Sequence, residues 1–111
     1  MQPVTEALPH PRREQIELGR VLHALSDPVR LKIVSSLASE GECPMGQIEV
    51  PVSKSTCTHH FKVLREAGVL TQRQVGTARM NTLRREDLDA RFPGLLETVL
   101  RAAPGDQPAG S

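Results

Sequence analysis

Between Glu14 and Leu25 the apolar residues Ile16, Leu18, Val21, Leu22 and Leu25 recur at roughly helical spacing, which predicts a first helix over that segment. Asp27-Pro28 reads as an N-cap followed by proline at the first helical position. It opens a second helix through Val29, Leu31, Ile33, Val34 and Leu37, which Gly41 ends. Pro44 to Glu49 leaves room for only a short helix, bounded by Pro51. Ser53 then caps a helix that carries Cys57, His60, Phe61, Leu64 and Ala67 on one face and stops at Gly68. Two extended runs, Val69 to Gln74 and Ala78 to Leu83, flank Val75-Gly76-Thr77 and predict a hairpin with Gly76 at positive φ. Glu86 to Phe92 supports one or two helical turns, Pro93-Gly94 interrupts, and Leu95, Leu96, Val99 and Leu100 resume an amphipathic pattern. The expected class is mainly α with a small β-hairpin, in the order helix, helix, short helix, helix, hairpin, helix.

Residues 1–12 and 104–111 are rich in proline, glycine and small or polar residues, and are expected to be mobile tails around one domain over 13–103. A chain of 111 residues builds a single modest core, near the size at which burial against a partner helps stability. With no Trp, no Tyr and only Phe61 and Phe92, that core must be aliphatic. No apolar run is long enough to span a membrane and the N-terminus has none of the apolar stretch of a signal peptide, so a cytoplasmic location is expected. Two cysteines are too few for the framework of a small secreted domain, so both are expected as reduced thiols.

Net charge is only +1, but its distribution is uneven. Between Lys54 and Arg85 stand seven bases (Lys54, Lys62, Arg65, Arg73, Arg79, Arg84, Arg85) and one acid, Glu66, a local net charge of +6 against −5 for the rest. A basic third in an otherwise acidic chain is an electrostatic footprint for a polyanion. Two helices joined by a tight turn, the second apolar where it packs and basic or hydroxylated where it does not, form a helix-turn-helix, and the hairpin behind it makes the arrangement winged. The N-terminal end of such a second helix enters the DNA major groove. Lys54, Ser55, Thr56 and Thr58 suit that place, with His59 and Lys62 one turn further along. Arg73 and Arg79 on the hairpin are candidates for flanking backbone or a minor groove.

The run from Leu22 to Val34 (LHALSDPVRLKIV) resembles the opening of the arsenic-repressor (ArsR/SmtB) family of winged-helix regulators. Ser53 to Leu70 (SKSTCTHHFKVLREAGVL) is similar to that family's recognition helix, including the paired histidines and the Leu-Arg-Glu-Ala-Gly ending. With the wing around Gly76, the resemblance covers roughly residues 15–102. It implies a homodimer built from the first and last helices, which places Ile16, Leu18, Leu95, Leu96, Val99 and Leu100 at the dimer face. It also implies binding to double-stranded promoter DNA at a palindromic operator, repression as the common outcome, and an effector that alters binding. Two departures concern that effector. The family's thiolate sensors carry Glu-Leu-Cys-Val-Cys-Asp-Leu where this chain reads Glu42-Cys43-Pro44-Met45-Gly46-Gln47-Ile48, so both ligand positions are lost. Members that bind zinc on the last helix use His and carboxylates there, and no His follows His60. The hairpin tip has Thr77 where many relatives have a basic residue.

Cys57 reads as a buried core thiol, with redox sensing as the alternative, and Cys43 falls in a turn where it would be exposed. His60 faces the packed side as a hydrogen-bonded structural residue, and His59 points away from it. A site for Ni2+, Co2+ or Zn2+ could be assembled from nitrogen and oxygen ligands, for example His10 or His23 near Glu14 and Glu17, with acids of the last helix across a dimer interface. No phosphate loop, paired metal-binding His motif or nucleophile elbow is present, and Cys57 and His59 do not share a helix face, so no enzyme activity is expected. The competing class is a winged-helix protein-interaction adaptor that does not read DNA. It would carry apolar or acidic residues where Lys54, His59 and Lys62 stand.

Overall fold

The computed structural model describes residues 5–103, so the tails expected at residues 1–4 and 104–111 lie outside the described residues. Helices α1 (Leu18–Leu25), α2 (Pro28–Glu40), α3 (Lys54–Ala67), α4 (Arg85–Arg91) and α5 (Leu95–Ala102) pack with a small antiparallel sheet of β1 (Thr5–Ala7), β2 (Cys43–Pro44), β3 (Leu70–Val75) and β4 (Ala78–Leu83). The strand order is β1-β3-β4-β2. This is a winged helix-turn-helix, with α3 as its second helix and β3–β4 as its wing. No helix among the described residues is long and apolar enough to cross a membrane.

Local chemistry sets the helix ends. Asp27 accepts from the Val29 amide at 2.8 Å and the Arg30 amide at 3.2 Å, with Pro28 filling the first turn where no donor is needed. Against the burial that would raise it, those two amides hold the Asp27 carboxyl below its ordinary range. Gly68 closes α3 in the left-handed region at φ 90°, and a Cβ there would lie 2.6 Å from Ile16 Cγ1. The wing turns over Gly76 and Thr77 alone, since Val75 and Ala78 already pair across it, and Gly76 takes φ 60°.

The first helix begins later than its periodicity predicts. A 3-10 turn at Arg13–Gln15 is followed by extended Ile16 and Glu17, and α1 starts at Leu18. The break lets Ile16 enter the core against Gly68, where it is buried. Residues 5–12, expected outside the fold, contain β1, whose Thr5, Glu6 and Ala7 oppose Val75, Gln74 and Arg73 of β3. The pairing satisfies the otherwise open edge of the wing through backbone atoms, so side-chain composition does not reveal it. The short helix expected over residues 44–49 is a single 3-10 turn at Met45–Gln47, and it is preceded by β2, which pairs with β4. That pairing also corrects the reading of Cys43 as exposed. It is buried, its carbonyl accepting from Asn81 Nδ2 at 3.3 Å.

The core is aliphatic around Phe61, which is fully buried with Val21, Ile33, Val34, Leu64, Val69 and Leu70. One buried cation holds three helices together. Arg30 on α2 donates from Nε to the Ala24 carbonyl at 2.7 Å and from Nη2 to the His23 carbonyl at 3.3 Å, closing the end of α1, and from Nη1 to His60 Nδ1 on α3 at 3.0 Å. Because a guanidinium only donates, His60 accepts at Nδ1 and carries its proton on Nε2. His60 is thus the hydrogen-bonded structural residue expected from its place on the packed side.

Asp87 on α4 anchors the N-terminal segment, accepting from Arg13 Nε at 2.7 Å and Arg84 Nε at 2.9 Å. The Arg13 hydrogen bond, helped by Arg84 against the effect of burial, lowers the Asp87 carboxyl from its ordinary range. A depressed folded value means that this stabilisation is complete above the ordinary carboxylate range near pH 4 and is lost as pH falls through the lower folded value. Asp87→Asn is therefore expected to melt earlier than the parent chain at about pH 7, with the difference vanishing near pH 2. A Tm gap that stays constant across a calorimetric pH series would contradict this role.

Candidate nucleic-acid interface

Helix α3 starts sharply because Ser53 Oγ accepts from the Thr56 amide at 3.2 Å and also donates to Thr56 Oγ1 at 2.9 Å. Cys57, His60, Phe61, Leu64, Arg65 and Ala67 face inward. At 100° per residue, Lys54, Thr58, Lys62, Ser55 and His59 fall within an arc of about 140°, and Thr56 lies about 60° beyond its edge. Lys54, Ser55, His59 and Lys62 are exposed. Thr58 is half-buried, and its Oγ1 donates to the Lys54 carbonyl at 3.0 Å, which leaves its oxygen free to accept but spends its proton. The structure therefore gathers five of the six α3 candidates on one outward arc, while Thr56 sits beside it with its hydroxyl tied to Ser53.

The hairpin candidates divide. Arg79 stands near the wing tip, opposite Gln74 in register, with Nε donating to Gln74 Oε1 at 3.3 Å and no acid beside it. Arg73 lies lower on β3 and is ion-paired with Glu42 at 2.8 Å. Glu42 also accepts from Thr82 Oγ1 at 2.8 Å, and the Thr82 and Arg73 bonds together hold its carboxyl below the ordinary range. Arg73 is thus a hairpin candidate whose charge is already partly compensated within the fold by Glu42.

The same census lowers the footprint counted along the chain. Of the seven bases between residues 54 and 85, Arg65 and Arg84 are buried and Arg73 is paired, so Lys54, Lys62, Arg79 and Arg85 make up the outward charge. Arg65 is a positioning residue that charge counting assigned to the surface. Its Nη1 donates to Gln72 Oε1 at 2.7 Å inside the molecule, tying the recognition helix to the first wing strand. Helical spacing puts Arg65 close to Lys54, at the edge of the outward arc, so the period gives no sign of its burial, which follows from Gln72 of β3 lying over that end of the helix.

The residues named for a dimer also divide. Ile16 and Leu96 are buried within the protomer, at 1% exposure each, so they are corrected from surface to core positions. Leu18 is 46% exposed, and its neighbour one turn on, Leu22, is 47% exposed. Leu95, Val99 and Leu100 are half-buried. Leu18, Phe92, Leu95 and Thr98 border a shallow groove of about 470 Å³ between α1 and α5.

The metal candidates find no partners for such a role. His10 is exposed with Nδ1 2.8 Å from the Leu8 carbonyl, and His23 is exposed on α1. Among the described residues no group of three His, Cys, Asp or Glu side chains comes together. Cys43 and Cys57 are both buried free thiols, and burial pushes each of them up from its ordinary pKa, with Glu40 adding to the effect at Cys43.

Residues 25–73 match the family described as a helix-turn-helix domain, a span that runs from the end of α1 to the middle of β3 and contains all of α3. Among curated proteins, the HTH-type transcriptional regulator YceK of Bacillus subtilis is 35% identical over 84 residues, covering 73% of this chain and 84% of YceK. The arsenical resistance operon repressor of Staphylococcus xylosus is 36% identical over 74 residues, 66% of this chain and 71% of the repressor. A biofilm growth-associated repressor of Xylella fastidiosa is 35% identical over 74 residues, 60% of this chain and 64% of that protein. Taken with the winged helix and the outward arc of α3, these likenesses show that the chain belongs to the arsenic-repressor (ArsR/SmtB) family of winged helix-turn-helix transcriptional regulators.

Proposed function

We propose that this regulator binds a palindromic operator in promoter DNA as a homodimer and represses transcription in the cytoplasm. The observation that carries the reading is the α3 arc of Lys54, Ser55, His59 and Lys62, exposed and in no ion pair, with Glu66 as its one acid, beside Arg79 of the wing. In this arrangement α3 enters the major groove, its lysines and hydroxyls reach base edges and phosphates, and Arg79 grips the flanking backbone. Buried Arg30 and Arg65 fix the angle of α3 against the other helices and the wing, so the interface is largely formed before DNA arrives. An adaptor reading would need an apolar or acidic α3 face, and two lysines occupy it.

Two-fold pairing supplies the second half of the reading. Leu18 and Leu22 offer α1 an exposed apolar stripe continuous with the groove beside α5, the kind of self-complementary face a two-fold dimer buries. Two recognition helices so related would meet successive major grooves about 34–36 Å apart. Leu18→Glu combined with Leu22→Glu is expected to give a monomer by sedimentation velocity where the parent chain is a dimer. A parent chain that sediments as a monomer, or a double variant that remains a dimer, would contradict the assignment of this face. A gel shift with DNA from upstream of the protein's own gene tests the function itself. Retardation that survives excess unrelated competitor DNA is expected, and its absence at low salt would remove the regulator reading.

A further inference from the structure

A cleft of about 920 Å³ opens between the start of α3, the wing tip and the loop that joins β2 to α3. One side of it is apolar: Met45, Ile48, Val50 and Val52 come from the loop, with Cys57 of α3 behind them. Lys54 and Arg79 border it from opposite sides, and Glu49 is the one acid in its lining. The volume falls within the range of cavities that take small organic ligands, about 300–1,000 Å³.

The mixture of linings is what needs an occupant. A phosphate backbone lying between α3 and the wing would use Lys54 and Arg79 but gains nothing from Met45, Val50 and Val52, which are half-buried and present carbon to the cleft. A purely apolar ligand would leave two cations facing the single carboxylate of Glu49. The chemistry that satisfies both is an apolar body with a single anionic head.

We propose that this cleft is a binding site for a small amphipathic organic anion, whose carboxylate or sulfonate lies between Lys54 and Arg79 while its hydrocarbon or aromatic body covers Met45, Ile48, Val50 and Val52. The regulatory part rests on the DNA-binding reading above. The same two cations serve DNA in that reading, so a ligand that engages them and fills the space between helix and wing excludes the duplex, and by linkage DNA excludes the ligand to the same degree. An organic anion would in this way relieve repression without a metal and without a distant conformational change.

The probe for the test is 8-anilino-1-naphthalenesulfonate, with the uncharged N-phenyl-1-naphthylamine as its comparison, titrated by fluorescence against the full chain. Saturable binding of the sulfonate is expected. Lys54→Gln and Arg79→Gln should each weaken the sulfonate by about tenfold while leaving the neutral dye within about twofold, since only the former has a charge to lose. Ala78→Phe, which places a ring in the cleft, should weaken both dyes. The lysine variant alters an exposed side chain and keeps the test decisive even should the Phe variant misfold. Sulfonate affinity that is unchanged in both charge variants, or no saturable signal, would overturn the site. Added to a preformed complex with labelled DNA, the sulfonate is expected to lower the anisotropy in proportion to occupancy. Dye binding that leaves DNA bound would overturn the exclusion. Should the parent chain bind no DNA, the regulator reading fails by itself and the dye titration still decides the site.

Discussion

Lys54→Ala is expected to weaken operator binding by about two orders of magnitude, the largest functional effect of any single substitution on the α3 arc. Lys54 stands in the first turn of α3, exposed, without an acidic partner and next to the wing tip, so its ammonium is available to the duplex at no internal cost. A base-edge or phosphate contact of this kind is worth about 1–3 kcal/mol, and a two-fold dimer loses it twice. Thr58→Ala should act differently. Its Oγ1 already donates to the Lys54 carbonyl, so only acceptor capacity and a methyl group face the groove, and the expected result is a smaller loss of affinity with poorer discrimination between operator and mutated operator. Arg73→Ala should cost least of the three, because Glu42 neutralises that guanidinium in the free protein. Neither Lys54→Ala nor Thr58→Ala should change the unfolding free energy in urea by more than about 0.5 kcal/mol, which separates lost contact from lost fold. Parent-like affinity for Lys54→Ala in anisotropy titrations would remove it from the interface.

Phe61→Ala is expected to produce the largest loss of stability, about 3–5 kcal/mol in urea denaturation. Phe61 is fully buried on the inner face of α3 among aliphatic side chains, and it is one of only two aromatic residues in the chain. A domain of this size is typically stable by about 5–15 kcal/mol, so the variant should lose a large share of its stability and melt well below the parent. Because Phe61 is fully buried and offers nothing to the duplex, the folded fraction should keep the parent affinity for DNA in the cold. Lys62→Ala, the adjacent but exposed residue, should show the reverse pattern, with stability kept and DNA binding weakened. A Phe61→Ala chain as stable as its parent would mean that the inward face of α3 has been misplaced.

These two variants mark where the sequence was readable. Asp27-Pro28, Ser53 and Gly68 set helix ends through local hydrogen bonds and backbone preference, and such signals lie within a few residues of the boundary they set. The helical period of α3 separated Phe61 from Lys62 for the same reason. What stayed hidden depends on partners far along the chain. Thr5–Ala7 becomes a strand only because β3 offers it an edge 66 or more residues away in register. Arg65, Arg73 and Arg84 look like surface charge until Gln72, Glu42 and Asp87 come beside them. Ile16 and Leu96 match the pattern of a partner-facing stripe, but Ile16 is buried against Gly68 and Leu96 lies in the same core. A formal charge of +6 over the basic third was therefore right in sign and too large in magnitude, and the surface that remains is narrower and centred on Lys54, Lys62 and Arg79.

That smaller surface sharpens the central claim. Cations on α3 and the wing tip neutralise phosphates, and each phosphate so neutralised releases condensed counterions and adds about 0.9 to the slope of log K against log salt. The decisive measurement is a fluorescence anisotropy titration of labelled operator DNA at a series of salt concentrations, with the parent chain and Lys54→Ala side by side. Affinity should fall steeply and linearly on the logarithmic plot, with a shallower slope for Lys54→Ala. A dissociation constant that does not change with salt would contradict DNA recognition by this surface.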